Sequence, residues 1–200
     1  MTTLERNYLV RCQLHLRQLF QRMNTAQQRK LQEIQNDLFS GDDALCAKAI
    51  SRCEEEGTAA MVEPLIAFYA SDAPSHLRQR VAELLATLKV SGIEYYFLQA
   101  LENKTFAHVR KDLIGFMWST GLQPVEAVAL ISQLAAEGDY PLVLECLTLL
   151  ENIEDAIPED QLLESIAIVH TRLNEMEQGD LRRLLAEYLI VLNRLRAIAE

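Results

Sequence analysis

A helix-turn-helix pattern recurs along this chain at a spacing of 32 to 33 residues, and that period restricts the available folds more than any other feature. The best copy, Ala59 to Val90, carries the stripe Leu77, Val81, Leu84, Leu85 and Leu88 on its second helix. The stripe returns as Val109, Leu113, Phe116 and Met117, and again as Leu142, Cys146, Leu149, Leu150 and Ile153. Apolar residues at steps of three and four share one face of a helix. A single helix pair cannot bury such a face alone, so a fixed period means that neighbouring pairs stack and share a continuous core.

Helical periodicity extends nearly throughout, and no segment alternates apolar and polar residues over the length of a strand. The pattern predicts helices at about 3–23, 25–39, 43–56, 59–70, 74–89, 91–102, 106–120, 124–138, 139–152, 159–173 and 180–199. Thr25-x-x-Gln28 has the form of a capping box, Ser40-Gly41-Asp42-Asp43 supplies a turn and a cap, and Asp139 caps a later helix. Pro124 suits a first helical turn, where its missing N–H is not needed. The repeat anchors are Leu45, Leu77, Val109, Leu142 and Leu181, with the final interval stretched to 39. Leu45, Ala49 and Cys53 are thereby expected in the places of Leu77, Val81 and Leu85. The fold expected is all-α, with about five helix pairs and an extra N-terminal helix. One domain covers 1–200: basic N-terminal helices over 1–40, a repeat core over 41–154 and a longer C-terminal pair over 155–200.

Half the residues are apolar and 24% are charged, the balance of a folded chain. No apolar run approaches the 18 or so residues that span a bilayer. Arg6, Arg11, Arg17 and Arg22 interrupt every segment that could serve as the apolar part of a signal peptide, so the expected location is cytoplasmic, with no membrane contact. The formal net charge of −10 is unevenly distributed. Residues 1–36 carry six cations against Glu5 and Glu33, whereas 112–171 hold eleven acidic residues and no Lys or Arg. A nucleic-acid phosphate chain docks by exchanging condensed counterions for Lys and Arg, so the body excludes it and only the N-terminal helix could take it. The acidic body suits a basic protein partner or simple solubility.

Catalytic and cofactor chemistry finds no pattern to rest on. Cys12, Cys46, Cys53 and Cys146 fall on predicted helices without a CxxC or a Cys-His pair at ligand spacing, and read as buried thiols. His76 and His108 occupy equivalent places in successive repeats, but neighbouring helices lie about 8–10 Å apart, too far for two nitrogens on one zinc. His15 and His170 stand alone. There is no Gly-x-Ser-x-Gly and no glycine-rich phosphate loop. Glu54-Glu55-Glu56 reads as a solvated helix end, and Asp155, Glu159 and Asp160 as charges favoured at a helix N-terminus. No catalytic residue, metal or cofactor is expected.

Val62-Glu63-Pro64-Leu65-Ile66, followed by Asp72-x-Pro74 and by Leu77-Arg78 with Val81 and Leu84-Leu85, resembles a HEAT repeat, in particular the short type also found in phycobilisome-lyase-like proteins. The resemblance implies a right-handed α-α superhelix. It further implies a ladder in which aspartate and arginine link neighbouring repeats, here Asp72, Arg78 and Arg110. Lys104 stands where Asp72 does in the next copy, and Val143 replaces Arg78 in the one after. HEAT repeats commonly act as scaffolds whose second helices line a concave face. Some members are lyases or DNA glycosylases, so an enzyme or enzyme subunit is the alternative, with Glu83 or Glu151 as the acids nearest the groove. The glycosylase branch has a basic, aromatic-lined groove that this acidic body does not match.

Helical phase picks out the residues opposite the buried stripe. They are Gln79 and Glu83 in the best copy, Lys111, Gly115 and Trp118 in the next, Leu144, Thr148 and Glu151 after that, and Arg183, Glu187 and Ile190 in the last. Trp118 and Leu144 are expected as neighbours in a groove rimmed by Lys111 and Glu151, the composition of a binding hot spot. The competing arrangement has Trp118 covered by curvature or a terminal helix, or the phase displaced by one residue. The last helix is apolar over more than one stripe, through Leu184, Leu185, Tyr188, Leu189, Ile190, Val191, Leu192, Leu195 and Ile198. A homodimer, a partner or the N-terminal helix would cover the excess. The function expected is a non-catalytic protein-interaction scaffold.

Overall fold

A computed structural model of the chain describes the backbone of residues 25–199 and the side chains of residues 27–197. The helix expected over 3–23, with Cys12, His15 and the nucleic-acid contact assigned to it, lies outside the described residues. Within them the chain is all-helical, with ten α-helices and no strand. They are α1 (Thr25–Leu38), α2 (Asp43–Glu56), α3 (Val62–Tyr69), α4 (Ser75–Thr87), α5 (Ile93–Glu102), α6 (Arg110–Thr120), α7 (Val128–Glu137), α8 (Tyr140–Glu151), α9 (Glu159–Glu175) and α10 (Asp180–Ala199). Short 3₁₀ turns at Ala59–Met61, Lys104–Val109 and Val125–Ala127 take the first turns of three expected helices. No helix among the described residues is long and apolar enough to cross a membrane.

The caps expected at Asp42 and Asp139 form, while the Thr25 side chain of the expected capping box lies outside the described residues. Asp42 Oδ1 accepts hydrogen bonds from the backbone N–H groups of Ala44 and Leu45 at 2.8 and 3.0 Å. Asp139 Oδ1 accepts from Leu142 N at 3.1 Å. Each satisfies orphan donors of a first turn. Gly57, with φ 50°, closes α2 in the left-handed conformation that residues with a Cβ rarely adopt.

The described residues form two compact units, one of 25–81 with 90–96 and the other of 82–89 with 97–199. In the first, α1 packs on α2. The buried residues of α2 are Cys46, Ala49, Ile50 and Cys53, a regular three-four stripe. Leu45, expected as an anchor, is instead 41% exposed. Ala49 and Cys53 are buried as expected, and Cys46 takes the place of Leu45 on the side that faces α1, its thiol donating to the Leu38 carbonyl at 3.1 Å. Glu54-Glu55-Glu56 is also more than a solvated end, since Glu54 pairs with Arg80 at 3.2 Å and Glu56 with Lys30 at 2.8 Å.

The second unit has two layers. The first helices α7 and α9 pack on each other, the second helices pack in the order α6, α8, α10, and α7–α8 and α9–α10 join the layers. Leu113, Ile131, Val143, Leu162 and Leu185 lie at the buried seam, each at most 1% exposed. Each such side chain contributes about 1.5–3 kcal/mol by leaving water. Where α7 meets α8, a Cβ on Gly138 would lie 2.9 Å from the Leu134 carbonyl oxygen, so the turn admits only glycine. Most of the apolar excess on α10 is absorbed within this unit: Leu184, Leu185, Tyr188, Val191 and Leu192 are buried, leaving Ile190 59% exposed.

Candidate interaction site on the second helices

Trp118 lies in the last turn of α6, which Gly121 terminates at φ 76° by donating to the Met117 and Trp118 carbonyls. Its side chain is 38% exposed. The indole Nε1–H donates to Glu145 Oε2 on α8 at 2.8 Å. A Cβ on Gly115, one turn before Trp118, would lie 3.4 Å from Glu145 Oε2, an ordinary contact. Leu144, next to Glu145, is 45% exposed, and Tyr140 one turn earlier is also exposed.

The expected rim is arranged differently around the indole. Lys111 Nζ pairs with Asp112 Oδ1 at 3.0 Å. That hydrogen bond, then the charges of Asp112, Glu145 and Asp139, hold the Lys111 ammonium above its ordinary pKa. Glu151 is exposed at the end of α8, while Glu145 is the carboxylate that meets the ring. Gln79 and Glu83 are exposed on α4. Unlike Gly115, Glu145 and Tyr140 were not singled out by phase. Leu144 was, and Glu145 follows it by 100° of helical rotation, enough to turn it from the outer face towards α6.

The arginine positions serve local ends. Arg110 Nε donates to the Leu101 carbonyl at 2.9 Å, and Arg182 Nε to the Leu173 carbonyl at 3.3 Å. In both, the first turn of a second helix caps the last turn of the helix before it, where orphan carbonyls favour a cation. Asp72 and Arg78 are both exposed, and within their unit neither side chain pairs with a described residue. The link between second helices there comes from Arg80, which reaches Ser51 Oγ and Glu54 Oε1 on α2 at 3.2 Å each. Between repeats of the second unit, Gln123 accepts from Glu154 N at 2.7 Å and donates to Asn152 O at 3.1 Å, and Gln161 Oε1 accepts from Ala129 N at 3.1 Å.

Two open clefts mark the second unit. One, of about 660 Å³, lies between α7 and α9 along Gln133, Ala136, Ile168 and Arg172. The other, of about 480 Å³, lies between α8 and α10 and is lined by Tyr140, Leu184, Glu187 and the Asp180–Arg183 ion pair. Among the described residues no group of three or more His, Cys, Asp or Glu is placed to hold a metal ion. The described thiols, Cys46, Cys53 and Cys146, are buried: burial pushes Cys53 up to about 12 and raises Cys146. His76 stands 3.9 Å from Asp43, and His170 Nδ1 bonds Asn174 at 3.1 Å. The chain matches no protein-family model, no curated protein and no solved structure.

Proposed function

We propose that this chain is a HEAT-like right-handed superhelix of five helix pairs, working as a non-catalytic scaffold that holds a protein partner on its second helices. The observation that carries the reading is Trp118, exposed on the face of α6 and α8 together with Leu144 and Tyr140, while Leu113, Ile114, Met117, Val143, Leu147, Leu149 and Leu150 of those helices are buried. Exposed tryptophans beside exposed leucine and tyrosine are the composition of interface hot spots. The two-layer packing of α6 to α10 supports a superhelical stack, since each added pair covers the apolar edge of the one before. Trp118→Ala is expected to weaken partner retention by about 2 kcal/mol or more, roughly thirtyfold. Affinity purification of the wild type and this variant side by side tests it. Retention of the same partners at equal strength removes Trp118 from the interface.

A further inference from the structure

The Trp118–Glu145 pair differs from the ion pairs of the second unit and, unlike the carboxylates that accept from Gln99 and Gln133, sets its acid against an aromatic ring. Lys111 is matched to Asp112. Arg172 and Arg183 are matched to Glu175 and Asp180. Glu145 has no cation within ion-pair distance among the described residues; its Oε2 is held by the indole N–H, and its Oε1 accepts no hydrogen bond from them. A carboxylate fixed in orientation beside an exposed aromatic face, with one oxygen open, is arranged to receive a planar cation. The surrounding sequence agrees, since 112–171 offers eleven acidic residues and no Lys or Arg, and Lys111, the nearby cation whose pKa Glu145 helps to raise, is itself paired with Asp112.

We propose that this pair is a receptor for an arginine side chain carried on a basic partner segment. The guanidinium stacks on the indole of Trp118 and donates to Glu145 Oε1, while apolar side chains of the segment lie over Leu144 and Tyr140. A guanidinium suits the site better than an ammonium because it is flat, weakly hydrated and able to stack and donate at once. The indole bond pre-orients the carboxylate, so less freedom is lost when the arginine arrives. The proposal rests on the reading of the second-helix face as a protein-binding surface and names the chemistry of the partner.

Trp118 is the sole tryptophan, so its fluorescence reports the site directly in the full chain. The probe is the amphipathic peptide acetyl-Leu-Ala-Arg-Leu-Leu-Ala-Arg-Leu-Leu-amide, compared with versions carrying citrulline or glutamate at both arginine positions. The arginine peptide is expected to give a saturable change. Its affinity should fall about tenfold or more on citrulline substitution or in Glu145→Gln, which keeps an acceptor for the indole but loses the charge. Binding should also weaken as salt is raised. Far-UV circular dichroism confirms that the variant is folded. Equal affinity for arginine and citrulline peptides, equal affinity of Glu145→Gln, or no saturable change up to about 1 mM peptide overturns the proposal. A partner that Trp118→Ala loses and Glu145→Gln keeps would overturn the arginine receptor and leave the interaction surface standing. A partner unaffected by Trp118→Ala strikes the surface itself.

Discussion

Tyr188→Phe probes the packing of the second unit through a single atom. Tyr188 is 0% exposed on α10, and its hydroxyl lies 3.1 Å from Ser132 Oγ on α7, itself fully buried. The bond joins the two layers across the most enclosed part of the stack. Burial chiefly, and the nearby Cys146, raise the phenol pKa, so the group is a neutral hydroxyl at ordinary pH. Removing it forfeits one net hydrogen bond, about 0.5–1.5 kcal/mol, and strands Ser132. Ser132 can turn back to the carbonyl one helical turn before it, which softens the loss to about 1 kcal/mol. Ser132→Ala should cost more, about 2 kcal/mol, because the tyrosine hydroxyl has no backbone carbonyl of its own helix within reach. The double variant removes both polar atoms and should lie well below the sum of the singles, giving a coupling of about 1–2 kcal/mol. Urea unfolding followed by Trp118 fluorescence isolates the unit that holds both residues; in thermal scans each kcal/mol moves Tm by roughly 2–4 °C. Additive single effects would refute the bond as a link between layers.

Three further outcomes follow from the same structure. Gly138→Ala should destabilise, because its Cβ would collide with the Leu134 carbonyl, whereas Gly115→Ala, with only ordinary contact to Glu145, should gain up to about 1 kcal/mol; paired urea midpoints check both signs. Arg80→Ala should lose about 0.5–1 kcal/mol with its Ser51 and Glu54 contacts, while Arg78→Ala leaves the midpoint unchanged; equal losses would return the link to Arg78. The unfolded chain releases the Cys53 proton near the ordinary value of 9.0, the folded chain only at about 12. The stabilisation from the neutral buried thiol is therefore complete below about pH 9 and lost as pH climbs to about 12. Urea midpoints should fall across that window, less steeply in Cys53→Ala, and parallel curves would exclude the thiol as a cause.

Local rules were legible wherever the physics is local. The 3.6-residue period and the Asp42 and Asp139 caps located the described helices to within a few residues, because each depends on neighbours in the chain. Phase identified Trp118 and Leu144 as exposed for the same reason. It failed at Leu45, where the facing helix rather than the repeat register decides which residue is buried. It also missed Glu145, because a residue on the flank of a helix is claimed by whichever neighbour packs beside it. Asp72 and Arg78 carried a family pattern, yet the inter-helix contact in their unit belongs to Arg80, whose reach across to Glu54 depends on the packing of α2 and α4.

By itself, then, the sequence determined that the chain is a run of paired helices with an acidic stretch over 112–171 that holds no Lys or Arg, because spacing, capping and composition act along the chain. Tertiary structure alone decided which acid meets the tryptophan, which glycine is indispensable and which serine and tyrosine are hydrogen-bonded between layers. Each of these is a contact across 27 to 56 residues, or a clearance of a few tenths of an ångström, set only when helices from separate repeats close against one another.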